Sequence, residues 1–172
     1  EHAFAECTGL MSVALGEGIS ILASEAFQGC TSLTDLRLPD NLDTIESRAF
    51  QGCSVLTELS IPASTTTIAV DAFKDCTGLT SVTIPAGVTS LGLGAFSGCS
   101  SLTDIDVDPA NSSYRSVDGI MYDASLSTLI QCPAGRTRSV TIPDGVSTIE
   151  YSSFYGCGNL TGVTMSDSVT RV

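Results

Sequence analysis

The sequence predicts an α/β, β-rich solenoid with a parallel sheet on a concave face, short helical turns on the convex side and a β-hairpin insertion. Three observations predict it. Cysteine recurs every 23 residues at Cys7, Cys30, Cys53, Cys76 and Cys99, and Cys157 follows 58 residues later. Phenylalanine keeps the same interval at Phe4, Phe27, Phe50, Phe73 and Phe96, then Phe154. Between these marks the apolar residues repeat at fixed offsets. A unit of this size cannot bury its own apolar face, but stacked copies share one continuous core.

Each element of the unit has a physical reason. The A-F-x-x-C piece follows polar residues such as Glu46-Ser47-Arg48. It reads as a single helical turn with its alanine and phenylalanine pointing inward. Glycine before the cysteine (Gly29, Gly52, Gly98, Gly156) suits a tight exit from that turn. Leucine stands three residues after the cysteine, at Leu10, Leu33, Leu56, Leu79, Leu102 and Leu160. An apolar pair two residues apart comes next, as in Leu36 and Leu38 or Val82 and Ile84, and predicts a strand buried on one face. Pro39, Pro62, Pro85 and Pro143 end that strand, because proline has no N–H to give to a ladder. A second pair, such as Leu42 and Ile45 or Val88 and Leu91, covers the opposite wall.

The cysteines lie in the same pattern as the core residues. Neighbouring units stack at roughly 5 Å, which is within disulfide range. Zinc needs four converging ligands, whereas a one-dimensional ladder converges nowhere. Buried free thiols are therefore expected, with Cys132, off the ladder, as the accessible one.

The period breaks between Cys99 and Cys157. Ile120-Met121-Tyr122 and Leu126 to Ile130 read as two strands joined by a turn through Asp123-Ala124-Ser125, a hairpin protruding from the solenoid edge. Such an insertion is either part of a binding face or a widened repeat that keeps register. The chain is read as a single array over residues 1–172, with this irregular insertion at about 108–139. Both ends fall in mid-repeat, so the sequence predicts a piece of a longer array, with fraying or end-to-end self-association at its exposed ends.

The repeat resembles the leucine-rich repeats of the BspA-like class, whose units carry I-P-x-x-V-x-x-I-x-x-x-A-F-x-x-C-x-x-L. The matching stretches are IPASTTTIAVDAFKDCTGL at 61–79 and IPAGVTSLGLGAFSGCSSL at 84–102. Insertions of the form Y-x-S-V-D-G-x-x-Y belong to the same resemblance. Thr65 stands where other copies are apolar, Ser153 where they have alanine and Gly16 where they have proline. The resemblance implies a right-handed leucine-rich-repeat solenoid from an extracellular or cell-surface protein that adheres to other macromolecules. It implies protein or glycoprotein ligands, host extracellular matrix among them.

Charge narrows the partners. The chain has 19 acidic against 7 basic side chains, a net charge of −12, and this field repels nucleic acid and anionic membrane. No stretch approaches the ~18 consecutive apolar residues of a membrane span, so no membrane insertion by this segment is expected. The single histidine, His2, lies at the start, and no G-x-S-x-G elbow occurs, so no enzyme and no catalytic residue is predicted. Asp104, Asp106 and Asp108 form a D-x-D-x-D run, but the glycine and distant glutamate of a calcium loop are missing and Pro109 follows. No metal site and no cofactor are expected.

The exposed strand positions are the candidate binding face. The first carries a threonine ladder: Thr34, Thr57, Thr80, Thr103 and Thr161. The next two vary as Asp35 and Arg37, Glu58 and Ser60, Ser81 and Thr83, and Asp104 and Asp106. A binding face and an unconstrained solvent face both vary in this way. The functional expectation is a non-enzymatic binding module acting through this face. The alternatives are a structural spacer or stalk, and a targeting segment of a larger surface enzyme. Asn111-Ser112-Ser113 and Asn159-Leu160-Thr161 match the N-glycosylation pattern, the first in a loop and the second cramped inside the repeat frame.

Overall fold

A computed structural model of the chain describes residues 1–172. Short strands follow one another as β1 (Ser12–Ala14), β2 (Ile21–Leu22), β3 (Asp35–Arg37), β4 (Thr44–Ile45), β5 (Thr67–Ile68), β6 (Ser81–Ile84) and β7 (Ser90–Leu91). After β8 (Asp104–Val107) the irregular stretch forms β9 (Tyr114–Val117), β10 (Ile120–Asp123) and β11 (Thr128–Gln131). The last units add β12 (Val140–Thr141), β13 (Thr148–Ile149) and β14 (Val163–Thr164). The repeats stack as a solenoid with parallel pairing between units. No helix is long and apolar enough to cross a membrane.

The helical turns expected on the convex side are not helices, and the backbone bonding gives the reason. Along A-F-x-x-C, alternate N–H groups point in two directions. Ala26, Gln28 and Cys30 donate three residues back, to Ala23, Glu25 and Phe27. Glu25, Phe27 and Gly29 donate instead to Ser47, Ala49 and Gln51 of the next unit. The following unit repeats this, with Arg48, Phe50 and Gly52 bonded to Val70, Ala72 and Lys74. Half of the donors a helix needs are thus spent on stacking the units.

Two left-handed residues per unit make the alternation possible. One lies two residues before the phenylalanine: His2, Glu25, Arg48, Asp71, Gly94 and Ser152, with φ between 56° and 69°. The other precedes the cysteine: Glu6, Gly29, Gly52, Asp75, Gly98 and Gly156, with φ between 58° and 83°. This second position is the tight exit read from the glycines. A side chain there costs about 1–2 kcal/mol that glycine escapes, less roughly 0.5–1 kcal/mol of extra chain entropy lost on folding. The Asp75 side chain makes no hydrogen bond or ion pair. Asp75→Gly is therefore expected to stabilise the fold by about 0.5–1 kcal/mol, read as a higher urea midpoint at unchanged slope.

The core is a set of ladders. Phe4, Phe27, Phe50, Phe73 and Phe96 stack with centroids 5.1–5.4 Å apart and planes within 7° of parallel. All seven cysteines are free. The ladder thiols are more than small hydrophobes. Cys30, Cys53, Cys76 and Cys99 each donate S–H to the carbonyl of the phenylalanine one unit back, Phe4, Phe27, Phe50 and Phe73, at 3.2–3.3 Å. Thr65 fits the apolar wall for the same kind of reason: fully buried, it donates its hydroxyl to the Leu42 carbonyl at 3.0 Å.

Burial, followed by the charge of the Cys30 thiol, pushes Cys53 up to about 12. Burial takes Cys99 to about 12 and Cys76 well above the ordinary value of 9.0. The folded chain keeps these protons where an unfolded chain releases them. Stability is then full below pH 9.0 and falls as pH rises toward about 12, by about 1.4 kcal/mol per pH unit for each thiol. Urea titrations from neutral pH upward should show this decline, and Cys53→Ala should make it shallower. An unchanged midpoint across that range would contradict the account.

Two expectations about the sheets are corrected. The predicted concave sheet is not continuous: it consists of the pairs β1–β3, β6–β8 and β12–β14. Glu58–Ile61, which should lie between β3 and β6, takes part in no backbone hydrogen bond. The longer ladder is built by the second apolar pair, as β2–β4–β5–β7.

The insertion also differs from a protruding hairpin. β9, β10 and β11 form an antiparallel meander, and β11 pairs in parallel with β13. Met121 packs into the large N-terminal core, whereas Ile120 and Tyr122 on the same strand pack into a separate smaller core with Leu129, Val140 and Ile149. β10 is thus an internal partition. Beside it the phenylalanine stack stops, and the buried Gln131 donates to the carbonyls of Cys132 and Ser153 while accepting from the Ser97 hydroxyl.

Candidate functional site

The eight residues expected on the binding face lie on β3, on the unpaired stretch and on β6 and β8. In the β6–β8 ladder Ser81 stands opposite Asp104, and Thr83 opposite Asp106. Asp35, Arg37, Glu58, Ser60, Ser81, Thr83 and Asp106 are exposed. Asp104 is half-buried and departs from the expectation. The hairpin turn lies on it: Gly119 leaves no room for a Cβ beside the Asp104 Oδ1. The insertion also completes the edge of β8, since Ile105 N–H donates to the Gly119 carbonyl at 2.9 Å and the Ser116 hydroxyl donates to the Ile105 carbonyl at 2.8 Å.

The threonine ladder bonds along the stack. Thr34, Thr80 and Thr103 donate to the carbonyls of Met11, Thr57 and Thr80 at 3.2–3.5 Å. None of the eight candidate residues forms an ion pair. The carboxylates of Asp35, Glu58 and Asp106 therefore stand unneutralised. Where the ladder is missing, the face holds two open recesses of about 300 and 290 Å³. Glu58, Ser60, Ser81 and Thr83 line the first, and Ser60, Thr83 and Asp108 line the second. The structure brings Glu58, Ser60, Ser81 and Thr83 together; Asp35, Arg37, Asp104 and Asp106 lie outside both recesses.

The opposite, turn-bearing side carries features the sequence reading passed over. Its left-handed positions hold a charge ladder: Glu25 pairs with His2 at 2.9 Å and with Arg48 at 3.0 Å, and Asp71 lies 4.0 Å from Arg48 and 3.9 Å from Lys74. Further along, Val70, Leu93 and Tyr151 are exposed at equivalent positions of their units, with Tyr155 beside them. Together with Lys74 and Ser97 they enclose a recess of about 290 Å³, and the Lys74 ammonium lies 5.6 Å above the Tyr155 ring. The signal was present in the sequence: the position three before the phenylalanine runs Ser24, Ser47, Val70, Leu93, Tyr151.

Other sequence readings are resolved around the insertion. Cys132 is completely buried, contrary to the accessible thiol expected, and the exposed cysteine is Cys7. Lying off the ladder moved Cys132 into the second core rather than to the surface. Asn111 is also buried. It occupies the position of Val88 one unit on, and its amide donates to the carbonyls of Pro85 and Val88 at 2.7 and 3.0 Å. Its oxygen accepts from the N–H groups of Ser113 and Tyr114 at 2.8 and 2.9 Å. An amide nitrogen with both hydrogens engaged has none free for a glycan. Asn159, expected to be cramped, is exposed. Asp118 and Gly119, both left-handed, form the β9–β10 turn, and the buried Arg136 donates to the Asp118 carbonyl and carboxylate. An Asp-Gly pair between apolar residues is a strong hairpin signal, and it marks the strand β9 that the sequence reading missed.

Comparison with known proteins agrees with this geometry. Residues 1–117 and 133–172 match the family model of the BspA type leucine rich repeat region in six copies. The chain is similar to a leucine-rich repeat protein from Eubacterium ventriosum, with 25% identity and a TM-score of 0.92 over 99% of this chain and 45% of that one. It is similar to a leucine rich cell surface protein from Faecalibacterium prausnitzii, with 31% identity and a TM-score of 0.71 over 98% and 52%. The pneumococcal vaccine antigen PcpA shares the fold at 24% identity, with a TM-score of 0.73 over 92% and 45%. The chain spans about half the length of these solved relatives. No match is found among curated proteins.

Proposed function

This chain belongs to the BspA-type leucine-rich-repeat family, and from that premise we propose that it is a non-enzymatic binding module of an extracellular or cell-surface protein. It holds protein or glycoprotein ligands, including host extracellular matrix, through the face that carries β3, β6 and β8. The observation that carries this reading is the set of exposed, unneutralised carboxylates of Asp35, Glu58 and Asp106 on one face, with Glu58 lining a recess left by the missing strand. Such a face favours cationic or polar partners and gives salt-dependent association. The cell-surface description of the Faecalibacterium relative supports the location. A second reading rests on the other side, where Tyr151 and Tyr155 are exposed beside a recess, because tyrosine is enriched at protein interfaces.

Binding of the folded chain to a panel of matrix and serum glycoproteins, across a salt series, tests both. Reversing charge at Asp35, Glu58 and Asp106 should weaken binding about tenfold or more at low salt. Asp104 is left intact because its half-burial under Gly119 would confuse folding with binding. Loss of binding only in a Tyr151→Ser, Tyr155→Ser variant moves the site to the turn side. A folded chain that binds nothing in the panel favours the spacer or the targeting segment.

A further inference from the structure

Cys132 and Cys157 differ from the ladder cysteines in what their sulfurs touch. Every ladder thiol from Cys30 to Cys99 has a carbonyl of its own at 3.2–3.3 Å. The other two share one. Cys157 Sγ lies 3.6 Å and Cys132 Sγ 3.8 Å from the Pro133 carbonyl, and Cys157 Sγ is also 3.8 Å from the carbonyl of Cys132. Both sulfurs thus converge on one acceptor and neither is held closely by it. Backbone bonding keeps the two segments together, since Cys132 N–H donates to the Ser153 carbonyl at 2.8 Å.

Their surroundings divide the labour of a dithiol. Cys132 is completely buried, whereas Cys157 is half-buried and open to a small reagent. The Cys132 thiol beside it lowers the pKa of Cys157, against the effect of burial, and the Arg136 guanidinium lowers it further. Cys132 is raised by the neighbouring Cys157 and by burial, so it holds its proton until it acts. An accessible, more acidic thiol next to a resolving thiol is the arrangement that selective oxidation requires.

We propose that Cys132 and Cys157 form an oxidation site that reacts with low-molecular-weight disulfides of the glutathione class and closes to an intramolecular disulfide. Cys157 Sγ, as thiolate, attacks one sulfur of the reagent; the reagent's S–S bond breaks, and one thiolate leaves with the electron pair. The mixed disulfide on Cys157 is then attacked by Cys132, which gives its proton to solvent, and the second reagent thiolate leaves. Two protein thiols are oxidised by two electrons, one disulfide is reduced to two thiols, and no other reactant is needed. The bond ties the exit of the insertion to the last repeat, within the smaller core that both cysteines join.

Glutathione disulfide added to the folded chain tests this, in a Cys7→Ser background that removes the exposed thiol. Intact mass should fall by two hydrogens, peptide mapping should give a Cys132–Cys157 cross-link, and the ladder thiols should stay reduced. Cys132→Ser, checked for native circular dichroism, should stop at a mixed disulfide on Cys157; Cys132→Ala serves if the serine variant does not fold. Cys157→Ser should leave Cys132 unreacted. A stable glutathione adduct on Cys157 in the parent chain would overturn the proposal, because the thiols then do not meet. So would ladder cysteines reacting as fast as Cys157, since the oxidation would then report unfolding.

Discussion

Phe50→Ala is expected to destabilise the chain by about 3–5 kcal/mol, among the largest losses for a single side chain in the array. Phe50 is fully buried and stacks on Phe27 at 5.4 Å and on Phe73 at 5.3 Å, so its removal opens a cavity and breaks two ring contacts. Ring contacts of this kind add about 0.5–1.5 kcal/mol each beyond area burial. The stack is also the means by which successive units recognise one another, so the damage reaches both interfaces of the unit. Phe154→Ala is the control: that ring is half-buried and has no stacked neighbour, and its loss should cost clearly less. Equilibrium urea unfolding of the two variants decides the matter. Equal losses would mean that the stack adds nothing beyond ordinary burial.

Asn111→Ala should cost about 3–5 kcal/mol, through unsatisfied polar groups rather than lost apolar area. Four backbone groups, the carbonyls of Pro85 and Val88 and the N–H groups of Ser113 and Tyr114, lose this side chain as a partner at once, and the Pro85 carbonyl alone keeps a second donor, the Val88 N–H at 3.2 Å. The bracket joins the last regular unit to the start of the insertion. Its neighbour Tyr114 continues the join, with its hydroxyl accepting from Leu91 N–H at 2.9 Å. Asn111→Val restores the apolar residue of the repeat yet should still destabilise, because both N–H groups stay unpaired. Asn111→Asp keeps the two acceptor contacts but sets a carboxylate against two carbonyls, so its stability should improve as pH falls and the acid protonates. If Asn111→Val proved as stable as the parent chain, the bracket would have no energetic role.

These two residues show how far the sequence could be read. Phe50 touches Phe27 and Phe73, its own counterparts one unit back and one unit on, so the 23-residue period is itself a list of contacts. The same holds for the cysteine ladder, for the buried leucines and for the second apolar pair, whose strands β4, β5 and β7 lie in register at Thr44, Thr67 and Ser90. It holds for most of the candidate face too, where seven of the eight residues are exposed as expected. The exception, Asp104, is covered by the turn at Gly119, which is not its repeat counterpart. The same kind of contact misled the reading of Cys132, which lies in a core that the insertion shares with the repeat that follows it.

The sequence by itself determined the repeat unit, the residues that face inward and the stacking of units into a solenoid. A residue that meets copies of itself writes its contacts into the period. Only the tertiary structure decided where the face is interrupted, how β10 divides the core, which thiols lie side by side and which N–H groups leave the turn for the next unit. Those features depend on residues that share no repeat position, or on a choice between local and neighbouring acceptors. In the turns the neighbouring carbonyl takes every second donor, which is why a segment read as a helical turn stacks instead as a ladder.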